Sequence, residues 1–201
     1  MPLISRGFGG RRRRDVDPAR VPPGQYVVDD FPVLSAGPTP RASIADWSLT
    51  IEGAVDAPRT WSWDDLQALP QDTFTTDIHC VTKWSKLDTT WTGVSLDVLL
   101  GEVSTEAAYL TAWCDGDYTT NLALEDVTDG RAWIAHTFEG APLDPEHGGP
   151  ARLLVPHLYL WKSAKWVRRL TLTEDDEPGF WESVGYHNHG DPWREERYWG
   201  D

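Results

Sequence analysis

Thr73-Phe-Thr-Thr-Asp-Ile-His-Cys80 is built largely of threonine, phenylalanine and isoleucine, side chains that favour extended backbone. The pattern predicts a strand over 73–80 with Cys80 at its end, followed by Val81-Thr-Lys-Trp-Ser-Lys86. Upstream, Trp47-Ser-Leu-Thr-Ile-Glu-Gly53 alternates apolar and polar, as a half-buried strand does, and Arg59-Thr-Trp-Ser-Trp63 reads the same way. Ser62 or Asp64 then caps a short helix over 65–69 that Pro70 stops, and Ser95 caps another that ends at Gly101. Downstream, Ala108-Tyr-Leu-Thr-Ala-Trp-Cys114 reads as a mostly buried strand and Asp115-Gly-Asp117 as a turn. Further strands are expected over 118–122, 131–138, 152–155 and 167–172, with a short acidic helix over 124–128 and a short segment over 161–166. Strands outnumber helices and do not alternate with them in the doubly wound manner. The expected fold is α+β and β-rich, with short helices.

The chain has 201 residues, enough for one domain with a substantial core. No apolar run approaches the roughly 18 residues a membrane span needs. Net charge is 18 − 32 = −14, which repels phosphate backbones and argues against nucleic-acid binding. The charge is uneven: residues 1–25 hold six arginines against Asp15 and Asp17, and residues 174–201 hold nine acids against Arg194 and Arg197. Residues 1–45 are punctuated by Pro18, Pro22, Pro23, Pro32, Pro38 and Pro40, so they read as an extended arm anchored by Phe31, Val33 and Leu34. Arg11 to Arg14 are followed by no apolar segment of the kind an export leader carries, and two cysteines make no disulfide framework. A cytoplasmic location is expected. Twelve tryptophans are read as rigid core filler or, for some, as walls of a cofactor cleft.

Cys80 sits at a strand end near Lys83 and Lys86, where cations favour the thiolate that attacks electrophiles or binds metal. The other reading is a buried structural thiol. Cys114, inside an apolar strand without basic neighbours, reads as structural. His187-Asn-His189 has the two-residue spacing of a pair of metal ligands, which leaves a zinc hydrolase as a weak option beside a plain surface loop. The basic cluster is sharper. Lys162 and Lys165, in Trp161-Lys-Ser-Ala-Lys-Trp166, are two of only four lysines, and Arg152 lies ten residues before them. With Ser163 and exposed backbone N–H groups they make an anion site, or else a solvated basic strip. No dinucleotide or Walker glycine pattern is present.

Asp77-Ile-His-Cys-Val-Thr-Lys-Trp-Ser-Lys-Leu-Asp88 with Trp91-Thr-Gly-Val-Ser95 resembles the sulfite-oxidase-type molybdopterin oxidoreductases, and most of all their small cytoplasmic sulfite-oxidase-like members. Arg152 to Val167, the arm segment Phe31 to Pro40 and the ending Phe180 to Trp193 resemble that family too. The resemblance implies a sulfite-oxidase-type molybdopterin-binding fold, with a basic flexible arm over 1–24 and a single oxidoreductase domain over 25–201. It implies that Cys80 is the thiolate ligand of molybdenum, the remainder of whose shell is a molybdopterin dithiolene and oxo or hydroxo ligands. It implies that Arg152, Lys162, Ser163 and Lys165 hold the pterin and its phosphate, with backbone contacts from Leu160 and Trp161. His147, Asp115 and Asp117, and the arm residues Phe31, Val33 and Leu34, fall on further cofactor positions. The anion site read from the residues and the family's phosphate site coincide.

The departures bear on substrate. Sulfite oxidases carry Asn-Arg-Arg shortly after the ligand cysteine, where this chain has Lys83-Trp84-Ser85, and an arm arginine of theirs falls on Leu34. A dianion such as sulfite needs several converging cations. The expected activity is oxygen-atom transfer to or from a small neutral substrate, a sulfoxide or N-oxide ahead of sulfite. Lys83, Trp84 and Trp91 are expected to shape the substrate mouth. The chain lacks a haem domain, so an unidentified electron-transfer partner is expected. A monomer is expected, since the family's dimerisation domain has no counterpart in the sequence. The alternative is a non-catalytic molybdopterin- or anion-binding module.

Overall fold

The computed structural model describes residues 16–201. Arginines 11 to 14 of the expected basic arm therefore lie outside the described residues. Eleven strands form two sheets, with two short α-helices and five 3-10 turns among the described residues. The strands are β1 (Tyr26–Val27), β2 (Ser48–Gly53), β3 (Arg59–Ser62), β4 (Asp72–His79), β5 (Trp84–Ser95), β6 (Tyr109–Cys114), β7 (Thr119–Ala123), β8 (Trp133–Phe138), β9 (Ala141–Pro142), β10 (Arg152–Leu154) and β11 (Val167–Thr173). The helices are α1 (Trp63–Ala68) and α2 (Leu96–Leu100).

Both helices begin where a serine cap was expected. Ser62 and Asp65 form a reciprocal capping box at α1, and Ser95 Oγ accepts from Asp97 N–H at α2. The strands expected around them are all present. Three elements differ from expectation. The acidic helix expected over 124–128 is a 3-10 turn, Leu124–Asp126. The longest strand, β5, was read only as a family motif. The arm, read as extended but not as part of a sheet, contributes β1, which pairs in parallel with Trp84 and Ser85.

The first sheet is organised by β5. One edge of β5 carries β4, antiparallel from Asp72↔Gly93 to His79↔Ser85. The other edge carries β1 and then β8. β10 and β9 extend the sheet from β8. The second sheet runs β3-β2-β11-β6-β7, with only β2 and β11 parallel.

Period-two alternation splits the apolar residues between two cores. Ile134 and Leu153 belong to the larger core, with Leu49, Ile51, Leu110 and Leu170 of the second sheet. Their chain neighbours Ala135 and Leu154 belong to a smaller core with Val28, Ile78, Cys80, Trp84 and Trp91. Phe31 of the arm packs against that smaller core. The arm is thus the cover of one sheet face, and Cys80 lies beneath it. Six of the twelve tryptophans (Trp47, Trp61, Trp84, Trp91, Trp161 and Trp166) are buried, so core filling accounts for half of them. No helix among the described residues is long and apolar enough to cross a membrane.

Candidate functional site

β4 delivers Cys80 into a tight turn. Cys80 N–H donates to Trp84 O at 2.8 Å and Lys83 N–H to Cys80 O at 2.9 Å. Lys83 has φ 76°, the left-handed backbone that closes the turn. Gln25 Nε2 of the arm also donates to Cys80 O, at 3.1 Å. Thr82 Oγ1 donates to Cys80 Sγ at 3.1 Å.

Burial pushes the Cys80 thiol up, while Thr82 and the charges of Lys165 and Arg197 pull it down. The cations that act on this sulfur are therefore distant in sequence. Lys83, expected beside the thiol, is exposed, and Lys86 donates to Asp29 O at 2.7 Å. Cys114 is half-buried and its thiol is pushed up to about 12 by burial and then by Asp115.

Arg152 is the central cation. It is buried at 2% exposure and makes no ion pair among the described residues. Its Nη1 donates to His147 O at 2.9 Å and its Nη2 to Ser163 O at 2.6 Å. Its guanidinium carbon lies 5.9 Å from the centre of the Trp91 ring. Burial pulls it down to about 10. Lys165 is pulled down to about 8 by burial and then by Arg152. Its ammonium donates to Leu34 O and Glu146 O, each at 2.7 Å, which leaves one of three donors unassigned. His147 stacks on Phe31 with ring centroids 3.9 Å apart. Burial and the charges of Arg152 and Lys165 pull its imidazole down to about 4. Its Nδ1 is buried without a hydrogen-bond partner.

The structure thus brings together Phe31, Leu34, His147, Arg152, Ser163 and Lys165. Leu160 joins them to the Cys80 strand, its N–H donating to His79 O at 2.9 Å. Val33 is 46% exposed on the arm. Asp115 is held in an ion pair by Arg168, 3.1 Å away, and its N–H donates to Trp166 O.

Lys162 stands apart. It is fully buried, 2.7 Å from Glu182 Oε1, and bonds both the carbonyl and side-chain oxygens of Asn121. Those three acceptors use all its donors. Trp161 Nε1 and Thr120 Oγ1 donate to the same Glu182 oxygen. A cavity of about 60 Å³ beside Lys162, lined by Asp126, Asp176, Asn188 and His189, has room for a few waters. It belongs to the tail side of the molecule and does not include Cys80.

Two expectations meet a different local arrangement in the structure. Trp84 is 4% exposed and Trp91 0%, so neither lines an open mouth; both pack edge-on against Phe31 as walls behind it. The pair His187 and His189 binds carboxylates instead of a metal: His189 bridges Asp126 at 3.3 Å and Glu196 at 2.7 Å. No group of three or more His, Cys, Asp or Glu side chains among the described residues is arranged to hold a metal ion. Several functional neighbours carried no local signal, namely Gln25, Thr82, Glu182 and Arg197. Arg197 Nη1 donates to Val81 O at 3.0 Å from the far end of the chain.

A soft sulfur, an unpaired buried guanidinium, a lysine with a donor to offer and an orphaned imidazole nitrogen form a donor set suited to an anionic cofactor carrying a redox metal.

Comparison with known proteins agrees. The model of the oxidoreductase molybdopterin binding domain matches residues 36–181. An uncharacterized oxidoreductase of Bacillus subtilis (strain 168), YuiH, is 43% identical over 197 residues, covering 96% of this chain and 100% of the relative. A putative protein-methionine-sulfoxide reductase subunit of Azospira oryzae is 29% identical over 148 residues, 73% of this chain and 56% of its own. Among solved structures, the sulfane dehydrogenase SoxCD of Paracoccus pantotrophus superposes with a TM-score of 0.63 at 28% identity, covering 69% of this chain and 41% of that one. The chain belongs to the sulfite-oxidase-like family of molybdopterin-dependent oxidoreductases, whose cofactor is molybdenum-molybdopterin.

Proposed function

We propose that the chain transfers an oxygen atom from a small neutral oxide, a sulfoxide or N-oxide, in preference to oxidising sulfite. The observation that carries this reading is the composition of the Cys80 turn. Of the three residues where sulfite oxidases place Asn-Arg-Arg, Lys83 is exposed and Trp84 and Ser85 are buried. Ser85 Oγ is engaged with His79 Nδ1 at 2.8 Å. No arginine side chain leaves this turn, and the two cations that reach it from elsewhere, Lys165 and Arg197, are largely committed to the backbone carbonyls of Leu34, Glu146, Val81 and Pro23, which is a poor set for a dianion. The relative named as a putative protein-methionine-sulfoxide reductase subunit supports the same direction.

When bound, molybdenum-molybdopterin supplies the two-electron couple across which the oxygen atom moves. Cys80 would be its thiolate ligand; burial opposes deprotonation, the Thr82 hydroxyl, Lys165 and Arg197 favour it, and the metal itself would supply the remainder. Arg152, Lys165 and Ser163 would hold its anionic end, and His147 and Phe31 its ring. Lys162, already paired, would support that segment from behind. An external electron donor completes the cycle, and the two free cysteines suit a reducing, cytoplasmic setting.

The test combines metal analysis with assay. The purified protein should hold about one molybdenum per chain, lose it in Cys80→Ser, and reduce methionine sulfoxide or an N-oxide with a viologen dye as donor. Fast sulfite oxidation with no oxide reduced would overturn the preference.

A further inference from the structure

The family match ends at residue 181, and residues 182–201 lie beyond it. This tail is nevertheless built onto the Cys80 turn. Tyr159 N–H donates to Gly190 O at 2.9 Å. Arg197 reaches Val81. The Trp193 ring meets the His79 ring edge-on, with centroids 6.2 Å apart, and His79 precedes Cys80.

The outer side of the tail is aromatic and, among the described residues, uncovered. Tyr186 bridges to Tyr198, and Trp199 N–H donates to Gly185 O at 3.0 Å. Val184 is 63% exposed, Trp193 47%, Tyr198 51% and Trp199 69%. Single exposed apolar side chains are ordinary, but four within sixteen residues mark a contact surface, and aromatic side chains are enriched at such surfaces. The inner end of the patch packs on Trp161, next to Lys162. Tyr186 meets Tyr198 on one side, 5.4 Å between centroids, and Trp161 on the other, 5.2 Å.

The charge around these rings is predominantly acidic, although Glu195 lies 3.7 Å from Arg197. Asp191 accepts from Trp193 N–H, Asp201 accepts from Tyr198 N–H, and Glu195 is exposed between them. The exposed cation Arg194 is paired with Glu196 at 3.2 Å. Over residues 174–201 nine acids stand against two arginines. A cationic partner is attracted to such a face; an acidic carrier, a nucleic acid or a second −14 copy is repelled.

We propose that the exposed aromatics Trp193, Tyr198 and Trp199, with their acidic rim, are the docking surface of a basic one-electron carrier protein. This rests on the oxo-transfer reading, which needs an outside reductant. For each sulfoxide reduced, the S–O bond breaks, the sulfur becomes a thioether, and the oxygen leaves as water with two protons. The two electrons come from two carriers, each oxidised by one.

The full-length protein is titrated calorimetrically with cytochrome c, as a basic probe, and with flavodoxin, as an acidic one. Cytochrome c should bind at about 20 mM salt and weaken about tenfold or more at about 200 mM. Trp193→Ala, Trp199→Ala and Glu195→Gln should each weaken binding, with far-ultraviolet circular dichroism confirming the fold. Binding that is absent, unchanged in all three variants, or stronger for flavodoxin overturns the proposal. So does a dimer in sedimentation velocity that Trp199→Ala dissolves, which gives the face to a second copy. Viologen-driven sulfoxide reduction should be unaltered in Trp199→Ala. If the wild type shows no such reduction, the oxo-transfer reading fails, and the binding data still decide the docking surface.

Discussion

Arg197 and Val81 are joined across 116 residues of chain by a 3.0 Å bond from guanidinium Nη1 to carbonyl oxygen. The same guanidinium donates through Nη2 to Pro23 O at 3.3 Å and lies 5.0 Å from the centre of the Tyr159 ring. It therefore ties tail, arm and Cys80 turn into one unit, with only 9% of its side chain exposed. Truncation leaves two carbonyls without their donor, a loss of about 1.5–3 kcal/mol for a charged hydrogen-bond group. Arg197→Ala should lower the urea midpoint accordingly and lower molybdenum retention. Arg197→Lys should recover little, because one ammonium cannot span both carbonyls as the fork does. A variant with wild-type stability and full metal content would show that the turn stands without the tail.

Lys162 and Glu182 form an ion pair with 0% and 1% side-chain exposure. Burial pulls the Lys162 ammonium down and Glu182 opposes it. Breaking such a pair from one side strands a buried charge at a cost of about 3–5 kcal/mol. Lys162→Met should therefore unfold the protein at much lower urea, and Lys162→Met with Glu182→Leu should recover part of the loss. A double-mutant cycle in urea measures the coupling, and additive losses would show that the pair is not a unit.

The strands on either side of Cys80 were unequally legible. β4 announced itself by its threonines, phenylalanine and isoleucine. β5 did not: its first residues, Trp84 and Ser85, are buried in succession, and Asp88 takes φ 57° where the β4 register shifts between Thr76 and Ile78. A bulge breaks the alternation on which strand recognition depends. Cys80, Arg152 and Lys165 stood out in the sequence as a thiol at a strand end and an isolated basic cluster in an acidic chain. Which of Lys162 and Lys165 would be paired was not, because Glu182 lies 20 residues beyond Lys162 with no local pattern linking them. Arg197 was missed for the same reason. Its partners are backbone carbonyls, which sequence does not distinguish.

His189 supplies a pH dependence of the tail. Its bond to Asp126 raises its pKa most, burial opposes this, and Glu196 adds to it, bringing it to about 9 from 6.5. A folded value above the unfolded one means that the protonated form stabilises the fold. The contribution is fully present below pH 6.5 and is lost as pH rises from there through about 9. Asp126 behaves oppositely: burial raises it, but bonds from His157 and His189 outweigh burial and hold it well below the usual carboxylate range. Its contribution is lost on acidification. Melting temperature should fall on the alkaline side between these values, and His189→Gln should flatten that limb. An unaltered alkaline limb in the variant would remove His189 from the account.

Gly148 sets the distance between the two site cations. Its φ is +110°, and a Cβ there would lie 3.0 Å from Lys165 Cβ and 3.1 Å from Arg152 Cβ. A methyl group is therefore strained by its backbone and pressed against both cationic side chains at once. Gly148→Ala should cost about 1–3 kcal/mol in urea unfolding for the backbone alone. The displaced side chains should also lose their bonds, Lys165 to Glu146 O and Arg152 to His147 O. Because burial and then Arg152 hold Lys165 below its ordinary range, a displacement that loosens both should raise the Lys165 pKa from about 8. Lysine-selective acylation followed across pH by mass spectrometry reads that shift separately from stability. Gly148→Ala should move the midpoint of Lys165 labelling upward and lower cofactor retention together. A stability loss with the labelling midpoint unmoved would mean that Gly148 serves only the backbone turn and not the spacing of the cations.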